Sequence, residues 1–188
     1  MNIDIKGSIF QMLQGLAYWL AYKREIQEYH VIESDAVAEA YHILSTKLKN
    51  GFKVRREVPF REICSSISDS QQRADIAIMD TNKNYICAIE FKLSGSANGG
   101  YIKDIQKLSI IKSRLSRIDC YSIILYRDSC DLTDSQDLIT KKGYAKRKID
   151  PVFVNSSLSQ KIVVRRICKA ISSVNAKKMK KVVCLELV

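Results

Sequence analysis

From Ile9 to about Glu28, Phe10, Leu13, Ala17 and Leu20 recur at helical spacing, and Ile9, Leu16 and Trp19 widen the stripe. The pattern predicts an amphipathic helix packed on a core or on a second copy of the chain. A second helix is expected from Ser34-Asp35, which carry N-cap chemistry, to about Lys49. Val37, Ala40, Tyr41, Leu44 and Leu48 share one of its faces, and Gly51 stands at the stop. Beyond Gly51 the period shortens to that of a strand: Phe52–Phe60 alternates until Pro59 interrupts it. Ala74–Met79 and Tyr85–Leu93 are β-rich runs joined by the turn-forming residues 80–84. A glycine-rich connection, Ser94–Gly100, leads to a helix from Tyr101 to about Leu115 with Ile102, Ile105, Leu108 and Ile111 on one face. Tyr121–Tyr126 is almost continuously apolar, as in a strand buried on both sides.

The order from 34 to 126 is therefore α-β-β-β-α-β. After it, Arg127–Asp150 reads as a charged, loop-rich or partly helical stretch. Pro151–Val154 is expected to be a strand, Ser157–Val174 a helix and Lys181–Val188 a closing strand. The fold class is mixed α/β (α+β), a mixed central sheet flanked by helices. No linker divides the chain, so 1–188 is expected to be one domain: a core over 34–126, a helix over about 9–28 and an extension over 127–188.

Composition narrows the functions open to such a fold. Apolar residues make up 46% of the 188, enough to build a core. Ile9–Ala21 is too short and too interrupted for a membrane span, and it lacks the flanks of a signal peptide. The six cysteines form no C-x-x-C pair, so they read as buried reduced thiols, and a cytoplasmic, reducing location is expected. With 2 histidines and no paired cysteines, a zinc site is not indicated. Lys and Arg number 31 against 20 Asp and Glu, a net charge of +11 that points to an acidic partner such as nucleic acid. Much of that charge lies late in the chain, at Lys141-Lys142, Lys146-Arg147-Lys148 and Lys177-Lys178-Met179-Lys180-Lys181.

The candidate chemistry ends the third strand. In Glu90-Phe91-Lys92 the two charged side chains lie two residues apart and share a face. If the hairpin turn is centred between Asn82 and Lys83, Asp75 lies opposite Glu90, Ala77 opposite Ala88 and Met79 opposite Ile86. Asp75, Glu90 and Lys92 then share one face with two alanines. Ile76, Ile78, Cys87, Ile89, Phe91 and Leu93 form the other. Two facing carboxylates repel unless a cation lies between them. Oxygen donors of this kind suit Mg²⁺, with Mn²⁺ as a substitute. A nearby lysine is placed to orient a water, which is an inventory for phosphodiester hydrolysis. A Glu-x-Lys triplet arises by chance about once in a chain of this composition, so its context carries the weight.

That context resembles the PD-(D/E)XK nuclease superfamily over residues 34–126, half the chain. The resemblance implies a restriction-endonuclease-like core, and a metal-dependent nuclease acting on DNA before RNA. It implies that Asp75, Glu90 and the main-chain carbonyl of Phe91 hold the metal, that Lys92 positions or activates the water, and that Glu39 approaches from the second helix. Ala74 stands where the family name has proline. Many members also carry a polar residue on the helix after the third strand, for which Asp104, Gln106 and Lys107 are candidates. Glu33 competes with Glu39 as the helical acid, although it precedes the expected Ser34 cap. Glu57 can approach the site from the first strand. Arg73, Lys103 and Lys107 lie where a phosphate backbone would pass.

Two other readings stay open. One is a nucleic-acid-binding or assembly module of the same fold with weak or no hydrolysis. The other is an interaction domain whose three charged residues form a surface ion network. A homodimer through the 9–28 helix would suit cleavage of two strands.

Overall fold

The computed structural model describes residues 4–48, 51–67, 72–93, 100–126, 148–149, 162–171 and 179–188. They form a mixed α/β fold built on a seven-stranded sheet. The helices are α1 (Ile5–Glu25), α2 (Glu33–Lys47), the single turn α3 (Phe60–Ile63) and α4 (Gly100–Arg114). The strands are β1 (Lys53–Pro59), β2 (Arg73–Met79), β3 (Tyr85–Leu93), β4 (Asp119–Tyr126), β5 (Lys148–Ile149), β6 (Ile162–Ile171) and β7 (Met179–Leu187). They lie in the order β1-β2-β3-β4-β7-β6-β5. Only β3 and β4 are parallel, joined through α4; the remaining neighbours are antiparallel. No described helix is long and apolar enough to cross a membrane.

Two apolar layers hold helices to the sheet. On one face Ile9, Leu13, Leu16 and Leu20 of α1 and Val37, Ala40 and Leu44 of α2 pack on Ile76, Ile78, Ile89, Phe91 and Leu93. On the other, Ile105, Leu108 and Ile111 of α4 and Phe60 and Ile63 of α3 pack on Ala77, Ala88, Cys120 and Ile124. The period-two pattern of the hairpin is thus realised, with the large apolar residues under α1 and α2 and the two alanines under α4. Helices α1 and α2 cross closely: a Cβ on Gly15 would come within 3.0 Å of Ile43 Cδ1. Gly51 takes φ +100° in the turn into β1, a conformation that glycine adopts without strain. The described cysteines 64, 87, 120, 168 and 184 are buried and unpaired.

The structure moves several boundaries. Helix α1 starts at Ile5 rather than Ile9, because Asp4 caps it by accepting from the Gly7 amide at 2.9 Å. Helix α2 starts at Glu33: Asp35 accepts from the Ile32 amide at 3.1 Å, so Ser34 lies inside the helix and is not its cap. Ala77 does pair with Ala88, and Ile76 with Ile89, but a register shift after Ile78 sets Met79 opposite Tyr85 and not Ile86.

The largest correction lies near the C-terminus, where the expected Ser157–Val174 helix contains strand β6. Its residues Ile162, Val163, Val164 and Ile167 are β-branched, and χ1 crowding favours such side chains in a strand. Pairing with β7 from Ile162↔Leu187 to Ile171↔Met179 settles the choice. Strand β7 fulfils the expected closing strand, starting two residues earlier. Of the stretch 127–150 only β5 is described. The expected strand Pro151–Val154, residues 94–99 and most of the late lysine clusters lie outside the described residues.

Candidate functional site

The polar end of the β2–β3 hairpin opens into a cleft of about 390 Å³, where Asp75, Glu90, Lys92, Glu33, Asp104 and Lys107 meet. Each arrives by ordinary local geometry. Asp75 and Glu90 point away from the α1/α2 layer because Ile76, Ile89 and Phe91 point into it. Lys92 follows Glu90 on the same face. Asp104 and Lys107, three apart in the early turns of α4, project side by side. Glu33 comes from the first turn of α2.

The carboxyls are held unequally. The Phe91 amide donates to Asp75 Oδ2 at 2.7 Å. Glu90 is only 3% exposed and Asp104 only 5%. Glu33 accepts from the Leu93 amide at 3.0 Å and from Lys92 Nζ at 3.2 Å. Lys92 also lies 3.8 Å from Asp104 Oδ2. Lys107 Nζ is 3.1 Å from Asp104 Oδ1 and 3.9 Å from Glu90 Oε2. The two lysines therefore bracket Asp104, one towards Glu33 and one towards Glu90.

Burial pushes the Glu90 carboxyl up to about 9, and the neighbouring Asp75 charge adds to the rise. Burial likewise raises Asp75 to about 6, against the lowering pull of the Phe91 amide, with Glu33, Glu57 and Asp104 adding repulsion. Burial alone would lower the Lys107 ammonium; Glu90 and Asp104 outweigh it and leave it raised.

The cleft is lined by five carboxylates, Glu33, Glu57, Asp75, Glu90 and Asp104, against three cations, Arg73, Lys92 and Lys107. A basic protein thus carries an acidic hollow. Glu90 Oε1 and Asp104 Oδ2 are buried and accept no hydrogen bond. Orphaned carboxylate oxygens in an electron-rich hollow are the condition that a bound cation relieves. Asp75 and Glu90 with a main-chain carbonyl would make a partial oxygen shell, which fits Mg²⁺ or Mn²⁺ retaining several waters. Among the described residues, no three His, Cys, Asp or Glu side chains form a ready-made metal cluster.

The structure sorts the residues singled out in the sequence. Asp75, Glu90, Phe91 and Lys92 line one cleft, joined by Arg73 and Lys107. The Phe91 ring is buried in the α1/α2 layer, while its backbone borders the cleft. Arg73 donates to the Glu57 carbonyl at 3.2 Å. Glu57 takes φ +50° and is skipped in the β1–β2 ladder, which brings it to the cleft. Glu39 is not among the lining residues, whereas Glu33 of the same helix is. The two lie six positions apart, which puts them on different faces of α2. Lys103 is exposed and does not line the cleft. Asp104, one of three candidates on α4, is the one that is buried.

No family model, curated protein or solved structure matches the chain.

Proposed function

We propose that this chain is a divalent-metal-dependent nuclease, with DNA a more fitting substrate than RNA. The observation that carries the reading is Glu90: a nearly inaccessible carboxyl with an unpartnered oxygen, beside Asp75 and two residues before Lys92. The strand order around this site and its acids resemble the PD-(D/E)XK nucleases, and that resemblance favours DNA.

Asp75, Glu90 and the Phe91 carbonyl would hold the metal. Bound there, Mg²⁺ supplies charge neutralisation at the phosphate and lowers the pKa of water. Lys92 orients the attacking water; Glu33 and Asp104 keep its ammonium at the cleft edge. Lys107 and Arg73, at the cleft mouth, draw in the phosphodiester and offset the charge that grows on it. Asp104 keeps the two lysines apart and directed inward.

The test exposes plasmid, linear duplex, single-stranded DNA and RNA to the protein with Mg²⁺, Mn²⁺ or EDTA. The wild type is expected to cut only with metal. Asp75→Asn and Lys92→Met, folded by circular dichroism, are expected to lose roughly 10²–10⁴-fold in rate. Cutting that survives in EDTA or in Asp75→Asn overturns the proposal. One observation favours the inert module: Lys107 already supplies part of the missing positive charge beside Glu90. Nucleic-acid binding without cleavage of any substrate in either metal would select that reading.

A further inference from the structure

A second hollow, of about 360 Å³, opens at the opposite end of the hairpin. It lies between the β2–β3 turn, the segment after α3 and the C-terminal end of α4. Its walls carry Lys83 and Asn84 from the turn, Ser66 and Tyr85, Arg114 from the end of α4 and Arg117 from the turn after it. Nothing in the proposed chemistry uses these residues.

The hollow is built to hold negative charge. Its one acid, Glu62, is already committed: Arg55 Nη1 lies 2.6 Å from Glu62 Oε2 and also bonds the Tyr85 hydroxyl. That hydrogen bond holds the Glu62 carboxyl below its usual range and leaves its charge matched by Arg55. Arg114 is fixed by donating to the Ser66 carbonyl at 2.7 Å, which spends one of its five donors and leaves the others for a ligand. Lys83 is held outward at φ +63° by a turn in which its amide donates to the Asp80 carbonyl at 3.1 Å. Among the described residues Lys83 and Arg117 form no ion pair. The carbonyls at the end of α4 disfavour an anion, so the cations around the hollow must outweigh them; Lys112 takes the Ser116 and Ile118 carbonyls just past the helix, at 2.8 and 3.0 Å. Three cations around a polar hollow are the chemistry of a phosphate site.

We infer that this hollow binds a phosphate group; resting on the nuclease reading, that group is a backbone phosphate of the nucleic acid lying along α4. The placement suits it. Asp104 in the cleft and Arg114 in the hollow are ten residues apart on one helix, about 15 Å at 1.5 Å per residue. A polynucleotide spans that distance in a few nucleotides, so one strand reaches both sites. The hollow grips the backbone without reading bases, while the cleft carries the chemistry.

The same phosphate chemistry occurs in a free phosphorylated molecule, and two measurements in EDTA separate the sources. The first is the salt dependence of DNA binding by the wild type and by the Lys83→Gln/Arg117→Gln double variant. Both side chains are outside the core, so the variant keeps the fold. Losing two phosphate contacts is expected to reduce the slope of log K against log salt by about 1.5 and to weaken binding several-fold. The second is titration with inorganic phosphate at constant ionic strength, followed by the Ser66 and Asn84 amide resonances. Those signals are expected to shift in the wild type and not in the variant. Phosphate-induced shifts with an unchanged DNA slope would overturn the backbone assignment and give the hollow to a free phosphorylated ligand. No shift and no change in slope would overturn the site itself. Neither measurement needs metal or cleavage, so a failed nuclease assay leaves both results readable.

Discussion

A carboxyl 3% exposed beside a second carboxyl keeps its proton, and this makes Glu90 a source of pH dependence. Its folded value is about 9, against about 4.3 in an unfolded chain. Between those values the folded protein binds more protons than the unfolded one, so its stability falls as pH rises. The metal-free protein is therefore expected to be most stable near pH 4 as far as this group is concerned, and to weaken progressively towards pH 9. Asp75, raised to about 6, contributes in the same sense over the lower part of that window. In Glu90→Gln this cost disappears. The variant is expected to exceed the wild type by roughly 2 kcal/mol or more at pH 8 in EDTA, and to match it near pH 4. Urea unfolding across pH measures this, and parallel pH profiles for the two proteins would refute it. Divalent cation should reverse the order at pH 8: it stabilises the ionised pair of the wild type and does little for the variant.

At the scale of elements, the site depends on how α2 and α4 present their first turns. Glu33 ties α2 to the end of β3 through the Leu93 amide and Lys92. Glu33→Ala is expected to cost about 1–2 kcal/mol, since a buried-edge amide and a lysine lose their acceptor, and to lower activity by displacing Lys92. Glu39→Ala, away from the cleft, is expected to change stability by less than about 0.5 kcal/mol. Chemical denaturation and turnover of the two variants distinguish them; equal effects would reject the assignment of Glu33. These elements also show how much the sequence could reveal. Strand periodicity placed Asp75, Glu90 and Lys92 on one face, because a period of two leaves only two choices. The helical partner was harder to read, since Asp35 moves the start of α2 by two residues and so carries Glu33 into the helix. Asp104 could be named as one of three residues on α4, but its selection depends on how that helix rolls against β3 and β4. The 157–174 segment departs from its expected helix for a related reason: its apolar residues suit either period, and β7 decides between them from a distance.

Across the whole molecule, the cleft residues lie between 33 and 107 but rest on strands that come after them. Strand β4 is paired along both edges, with β3 from Cys87↔Asp119 to Leu93↔Leu125 and with β7 from Cys120↔Leu187 to Tyr126↔Lys181. Helix α1 covers not only the hairpin but also Cys168, Ala170, Val182 and Cys184 of β6 and β7, all in one apolar layer. At the end of that layer Glu186, 3% exposed, is held by Arg165 and by Lys6 at 3.4 Å, so the first helix and the last strand are also joined by charge. A chain cut after residue 126 would keep every cleft residue. It would nevertheless expose Ile123, Ile124 and Leu125 on an open strand edge and remove part of the surface beneath Leu13 and Leu16. A long apolar edge of this kind pairs with other chains. The fragment 1–126 is therefore expected to aggregate, or to retain helical circular dichroism while binding a hydrophobic dye and losing cooperative urea unfolding. A soluble fragment that unfolds in one sharp transition would show that β6 and β7 are dispensable. The expected result instead makes the C-terminal strands part of what holds Glu90 buried: β7 supports β4, β4 supports β3, and a loosened β3 admits water to the carboxyl. A full-length protein with β7 weakened by an uncharged change, as in Val183→Asn at a fully buried position, should accordingly show a smaller Glu90-dependent fall in stability between pH 4 and 9, read as its difference from the same variant carrying Glu90→Gln.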